Sequence, residues 1–130
     1  MSSPTSLPLM IVEDDDDLRD TIADIMSAQG YKVVAFADAR AALAALEGGR
    51  TPFLILLDLM MPGMSGWEFR AAQLENPRLT SIPVVVVTAA STFTDGPPTL
   101  PDTEILRKPF ELDALLTLVG RYAAAAPPGP

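Results

Sequence analysis

Several acidic, hydroxyl and amine side chains stand directly after short apolar stretches of the sequence, where buried strands are expected to end. The five residues of this kind are Glu13, Asp14, Asp58, Thr88 and Lys108. Three carboxylates in one pocket raise one another's pKa unless a cation is present, and Mg²⁺ prefers such oxygen ligands. A carboxylate can attack phosphorus, while an amine and a hydroxyl can stabilise the oxygens of the transferred group. These residue types therefore predict phosphoryl chemistry with Mg²⁺ as cofactor.

Each of these residues, taken alone, also has a simpler interpretation. Acids after a strand are common as helix caps or solvated loop residues, and the neighbouring acids 15–17 keep that interpretation. Thr88 alone is typical of a strand end, and Lys108 before a proline is typical of a turn. Their joint position after four separate apolar stretches is what favours one common site.

The apolar pattern predicts alternating strands and helices that would position these side chains. Continuous apolar runs are typical of strands buried on both faces, and the five predicted strands are Leu9–Val12, Val33–Phe36, 53–57, 82–87 and 104–107. Helix signals separate the strands, namely an apolar stripe from Leu18 to Met26, an N-cap at Asp38, the capping-box pair Ser65 and Glu68, and a stripe from Leu112 to Val119. This alternation predicts a doubly wound α/β fold with a parallel sheet, whose ligand site forms at the carboxyl ends of the strands.

Length and composition narrow the classes of function. The chain has 130 residues, which suits one domain, and its net charge of -8 opposes binding to nucleic acid or an anionic membrane. No apolar run approaches the length of about 18 residues that a membrane-spanning helix needs. The absence of cysteine and of a secretory signal pattern in residues 1–8 fits a reducing compartment. We therefore expect a cytoplasmic protein with protein partners.

Four stretches resemble the receiver domains of response regulators in bacterial two-component signalling, of the chemotaxis-regulator type. They are 11–15 (IVEDD), 56–66 (LLDLMMPGMSG), 86–89 (VVTA) and 108–110 (KPF). The stretch around Asp58 is highly specific for this family. The other three stretches are weak evidence separately, but their occurrence in this order supports the resemblance strongly. Together with the order of strands and helices, the resemblance covers residues 9–122.

The resemblance implies a flavodoxin-like five-stranded parallel sheet of order 2-1-3-4-5. Outside it, residues 1–8 are expected to form a flexible N-terminus, and the Ala/Pro composition of residues 123–130 predicts a flexible tail or truncated linker. It implies that Asp58 accepts the phosphoryl group, that Thr88 and Lys108 contact this group, and that the Lys-Pro bond is cis. The implied metal ligands are Glu13, Asp14, Asp58 and the backbone carbonyl of Met60.

The resemblance also implies partners and a signalling role instead of an enzymatic one. Because the chain contains no histidine, the donor phosphohistidine must belong to a sensor kinase or a phosphotransfer protein. A downstream protein partner and a monomer or weak dimer are expected. Met60 and Ala90 offer no polar side chain to orient water, so self-dephosphorylation should be slow and the phosphorylated state long-lived.

Two departures from the usual receiver pattern leave alternatives open. Segment 91–103 contains three prolines and a glycine, which predicts an irregular or shortened fourth helix. Ile105 stands where receivers often carry an aromatic switch residue. A docking module whose output is largely independent of phosphorylation is therefore one alternative, and tolerated loop variation is another. A phosphohydrolase is less favoured, because Met60 occupies the position of the second aspartate in such enzymes.

Overall fold

The structure, a computed structural model, describes residues 7–89 and 104–126. Its five strands are β1 Leu9–Val12, β2 Val33–Phe36, β3 Leu54–Leu57, β4 Val84–Ala89 and β5 Glu104–Lys108. The four helices within the described ranges are α1 Asp16–Ala28, α2 Ala39–Glu47, α3 Gly66–Leu74 and α4 Leu112–Ala125. No helix among these is long and apolar enough to cross a bilayer.

The five strands form one parallel sheet in the order β2-β1-β3-β4-β5. The doubly wound flavodoxin-like order predicted from the resemblance is therefore confirmed. Because all pairings are parallel, the carboxyl ends of all five strands lie along one edge of the sheet. This edge holds the residues that follow the apolar runs.

Side chains of the central strands alternate between two apolar cores, one on each face of the sheet. Met10 of β1 packs in a cluster with Leu46 of α2 and Phe69 of α3. The next residue, Ile11, packs in the second cluster with Leu115 of α4. Burial of such a side chain contributes about 1.5–3 kcal/mol, so both faces stabilise the sheet. Burial on both faces explains why the strands appear in the sequence as continuous apolar runs.

Three helices begin at a side chain that accepts a backbone N–H of the first turn. Asp15 caps α1, Asp38 caps α2 and Ser65 caps α3. Ser65 and Glu68 form the reciprocal capping box that their spacing predicts. Each such cap contributes about 1 kcal/mol. These caps fix the starting points of α1 and α3, which directly follow the loops of the candidate site.

The start of β4 differs from its predicted position. The strand begins at Val84 and continues to residue 89, whereas the apolar run predicts 82–87. Pro83 has no N–H to donate, and Ile82 donates its own N–H to the Leu79 carbonyl at 3.2 Å, within the preceding turn. Thr88 therefore lies inside the strand and does not follow it.

Residues on both sides of the predicted domain bounds 9–122 pack against the core. Leu7, predicted to lie in a flexible segment, packs against the cluster that contains Ile11. α4 continues to Ala125 because Ala123, predicted as the first residue of the tail, is only 1% exposed and belongs to that same cluster. The predicted irregular helix within 91–103, Ala90, and the end segments 1–6 and 127–130 lie outside the described residues.

Gln73 is a fully buried polar side chain that connects α3 to the turn before β4. Its Nε2 donates to the carbonyls of Leu79 and Ile82 at 2.9 and 3.0 Å. Its Oε1 accepts a hydrogen bond from Arg70 Nη1 at 2.7 Å. Gln73 therefore helps to set the position at which β4 enters the sheet.

We expect Gln73→Leu to lower the free energy of unfolding by about 1–3 kcal/mol, because it removes both donors and leaves buried carbonyl groups short of a partner. Urea denaturation followed by circular dichroism measures the change. Gln29→Leu is the matched control, since Gln29 is exposed and its replacement should stay within about 0.5 kcal/mol of the original chain. Equal stability of the two variants would contradict the assigned role of Gln73.

Candidate functional site

The sheet brings the predicted site residues to one edge. Glu13 and Asp14 directly follow β1, and Asp58 directly follows β3, which is the neighbour of β1. Thr88 lies near the end of β4 and Lys108 is the last residue of β5. Four adjacent parallel strands thus deliver all five side chains to their carboxyl ends, as predicted from the apolar runs.

Three carboxylates converge at this edge. One oxygen from each of Glu13, Asp14 and Asp58 lies within 4.8 Å of the other two. Glu13 is 3% exposed and Asp58 is 5% exposed, whereas Asp14 is open to solvent. A hard divalent cation with several oxygen ligands fits such a donor set, and the open side at Asp14 leaves room for water or a substrate oxygen. The described residues therefore fit a metal ion of this class.

Lys108 supplies the positive charge nearest to these acids. Its Nζ lies 2.8 Å from Glu13 Oε1 and 3.8 Å from Asp58 Oδ2. The ammonium group therefore bridges two carboxylates, with the shorter contact to Glu13. The Lys108–Pro109 peptide bond is cis, in agreement with the resemblance.

The pKa of the Asp58 carboxyl group is raised from its ordinary value of 3.8 to about 7, first by burial and then by the hydrogen bond and the negative charge of the Glu13 carboxylate. The Met60 N–H and the Lys108 ammonium group oppose the shift because they stabilise the charged form. A carboxyl group that titrates near neutrality is a common property of functional sites. Asp58 therefore holds a proton more readily than an ordinary aspartate.

The backbone around Asp58 is fixed by short-range contacts. Asp58 donates its N–H to the Val12 carbonyl at 3.0 Å, and its Oδ1 accepts the Met60 N–H at 3.1 Å. Gly66, the first residue of α3, packs directly on this loop, since a Cβ there would lie 2.6 Å from the Asp58 carbonyl oxygen. Only glycine fits without displacing the backbone. Gly66 is the last residue of the characteristic stretch 56–66, but the sequence did not predict this contact.

Thr88 contributes a buried hydroxyl group at the same edge. The residue has no exposed surface, and its Oγ1 has no hydrogen-bond partner among residues 7–89 and 104–126. An unpaired buried hydroxyl destabilises a fold by about 1–3 kcal/mol, so its presence calls for an explanation. A site that binds an oxygen-rich group beside β4 would provide one.

Two further positions complete the comparison with the predicted site. The Met60 side chain is 53% exposed and its N–H binds Asp58, while the role of its carbonyl as a metal ligand stays a prediction. Arg19 was missed by sequence reasoning, although it donates to the Glu13 carbonyl at 2.9 Å. The spacing of Asp16 and Arg19, three residues apart on α1, is the signal that could have indicated a fixed arginine.

Comparison with known proteins identifies the family. The family model for the response regulator receiver domain matches residues 9–120. An uncharacterised 14.6 kDa protein of Leptolyngbya boryana is 30% identical over 98% of both chains. The response regulator protein FleR of Pseudomonas aeruginosa is 36% identical over 93% of this chain, which spans only 25% of the length of FleR.

A solved structure supports the same family. The chemotaxis response regulator CheY4 of Vibrio cholerae superposes with a TM-score of 0.79 and 28% sequence identity, over 91% of this chain and 99% of CheY4. The sheet order, the acidic pocket at the carboxyl ends of β1 and β3, and the family match all point to the same conclusion. The chain belongs to the response regulator receiver domains of two-component signalling.

Proposed function

We propose that this domain accepts a phosphoryl group from a partner's phosphohistidine onto Asp58, with Mg²⁺ held by the adjacent acids, and that phosphorylation changes its contacts with a downstream protein. The convergence of three carboxylates within 4.8 Å, with the Lys108 amine within 3.8 Å of Asp58, is the observation that carries this proposal. Receiver domains are signalling phosphoacceptors and not enzymes in the usual sense.

In the proposed reaction, a carboxylate oxygen of Asp58 attacks phosphorus and forms the O–P bond of an acyl phosphate. The P–N bond of the donor breaks, and its electron pair returns to the imidazole nitrogen. Lys108 Nζ contacts the transferred group, and the Thr88 hydroxyl donates to another of its oxygens. The short contact between Lys108 and Glu13 supports this role, since it holds the ammonium group beside the reacting carboxylate.

The proposed metal ligands are Asp14 and Asp58 directly, Glu13 partly through water, and the Met60 carbonyl. Two of the three acids are almost fully buried, so a divalent cation held by them would reduce the repulsion between their charges. When bound, Mg²⁺ would offset negative charge on the transferring oxygens. The residues of the chain hold the nucleophile in place and exclude bulk water from it.

The proposed partners are a sensor histidine kinase or a histidine phosphotransfer protein, together with a downstream protein. Because these 130 residues contain no histidine, the donor histidine lies outside this domain. A net charge of -8 argues against nucleic acid and anionic membranes as direct partners. We place the domain in the cytoplasm as a monomer or weak dimer.

The docking alternative receives less support. Its motivating segment 91–103 lies outside the described residues, and Ile105 is half-buried against the cluster that contains Phe69. A module that only docks requires neither the acidic pocket nor the raised pKa of Asp58. Equal partner affinity with and without beryllofluoride, a phosphoryl mimic, would reverse this preference.

We expect Asp58→Asn to abolish both Mg²⁺-dependent labelling by acetyl phosphate and transfer from the cognate kinase, because the amide lacks the nucleophilic oxygen. Asp24→Asn is the control, since Asp24 is exposed on α1, and it should label like the original chain with the small donor. Profiling against the histidine kinases of the source organism identifies the donor. Persistent labelling of Asp58→Asn would exclude Asp58 as the acceptor.

The raised pKa of Asp58 predicts a specific pH dependence of stability without Mg²⁺. In the folded chain the pKa of Asp58 is about 7, whereas in the unfolded chain it is near 3.8. The folded state therefore binds the proton more tightly, and this stabilises the fold fully below pH 4. The contribution decreases as the pH rises and is lost above pH 7. Urea denaturation in EDTA should therefore show Asp58→Asn gaining stability relative to the original chain between pH 5 and pH 8. Mg²⁺ should stabilise the original chain more at pH 8 than at pH 5.5. A difference between the two chains that does not change with pH would contradict the assignment.

We expect the phosphorylated state to persist, and Met60→Asn to shorten its lifetime severalfold. Met60 donates its backbone N–H to Asp58, is 53% exposed, and has no polar side-chain group to orient an attacking water. Loss of radiolabel from purified protein measures the rate. Leu74→Asn, an equally apolar residue that is 46% exposed at the end of α3, should leave the rate unchanged. Rapid loss of label from the original chain would contradict the expectation.

A further inference from the structure

Arg19 lies against the loop that carries the acid pair, although it belongs to the second turn of α1. Its Nη1 donates to the Glu13 carbonyl oxygen at 2.9 Å, and its Nη2 pairs with Asp16 Oδ1 at 2.6 Å. The Arg19 side chain is only 17% exposed, whereas that of Asp16 is 78% exposed. The guanidinium group is therefore held in one orientation over the loop and does not extend into solvent.

We propose that Arg19 is a positioning residue for the metal site, and that it sets the direction in which Asp14 presents its carboxylate. This inference rests on the proposed function, because it assigns Arg19 to the site described there. Arg19 touches neither the metal ligands' carboxylates nor the phosphoryl group in this proposal. It acts through the main chain of the loop.

The peptide plane between Glu13 and Asp14 is the link between Arg19 and the metal site. A peptide group is rigid and planar, so fixing its carbonyl oxygen also fixes the direction of the following N–Cα bond. The other parts of Glu13 are already held, since its N–H donates to the Phe36 carbonyl at 3.1 Å and its Oε1 contacts Lys108 at 2.8 Å. The Arg19 hydrogen bond therefore removes the remaining freedom of the peptide that precedes Asp14.

The Glu13 carboxylate and the start of α1 belong to the same arrangement. Glu13 Oε2 accepts the Asp15 N–H at 3.2 Å, and Asp15 Oδ1 in turn accepts the Leu18 N–H at 3.1 Å. Arg19, anchored one turn later, closes this loop back onto the Glu13 carbonyl. A rigid planar guanidinium group suits this task, because it directs two donors at once, whereas a lysine directs its charge from a flexible stem.

Charge and geometry predict opposite results, which makes the proposal testable. A nearby cation repels Mg²⁺, so removing Arg19 would tighten metal binding if Arg19 acted only through its charge. Loss of an outer contact that orients a metal ligand instead weakens metal binding, commonly by about tenfold or more. The direction of the change in Mg²⁺ affinity therefore separates the two roles.

Isothermal titration of the whole chain with MgCl₂ tests the proposal. We expect Arg19→Gln to weaken Mg²⁺ binding about tenfold, and Arg19→Lys to give a smaller loss because lysine keeps an N–H donor for the Glu13 carbonyl but not the planar pair of donors. Arg121→Gln is the matched control, since Arg121 is exposed and pairs with Glu104 at the amino-terminal end of β5, away from the site. It should bind Mg²⁺ like the original chain. Unchanged or tighter binding by Arg19→Gln would overturn the proposal.

A second readout without metal separates positioning from general destabilisation. Amide exchange of the Asp15 N–H should accelerate in Arg19→Gln, whereas the amides of β3 should keep their protection in both variants. Equal acceleration at Asp15 and in β3 would mean that Arg19 only supports the fold, and would overturn the proposal. If the original chain itself fails to bind Mg²⁺, the proposed function is wrong, while the exchange of Asp15 still decides whether Arg19 holds the loop.

Discussion

The crowding of carboxylates at the ends of two adjacent strands is the constraint on which the rest of the structure depends. Glu13 and Asp58 are nearly buried and lie within reach of Asp14, so their mutual repulsion opposes folding whenever all three are ionised. The two apolar cores provide the opposing free energy, because they hold β1 and β3 side by side regardless of the charges at their ends. Burial and the Glu13 carboxylate raise the pKa of Asp58 to about 7, and Lys108 opposes only part of this shift.

Much of this arrangement could be predicted from the sequence, for a physical reason. A strand buried on both faces must be continuously apolar, so the residue at which a run stops marks the edge where a ligand site can form. Asp58 and the acid pair follow such runs directly, and the structure places them together. The alternation of strands and helices predicted a parallel doubly wound sheet, whereas the order of the strands came from the resemblance to receiver domains.

The features that could not be predicted depend on contacts between distant parts of the chain. Lys108 lies closer to Glu13 than to Asp58, and the sequence holds no signal for this preference. Gly66 is required by the backbone of Asp58, and Gln73 by two carbonyls in the turn before β4. The burial of Ala123 against the core likewise extends α4 past the point where the alanine-rich composition suggested a tail.

The contact between Lys108 and Glu13 joins residues that are 95 positions apart in the sequence. Glu13 follows the first strand of the chain, and Lys108 ends the last. During synthesis, the acid pair and Asp58 leave the ribosome well before the lysine that completes their environment. Closing the chain between residues so far apart in the sequence costs more conformational entropy than forming a local contact. A nascent or truncated chain that ends before β5 would therefore carry the acids without the positive charge of Lys108. The complete site forms only in a chain that has also added β5 to the sheet.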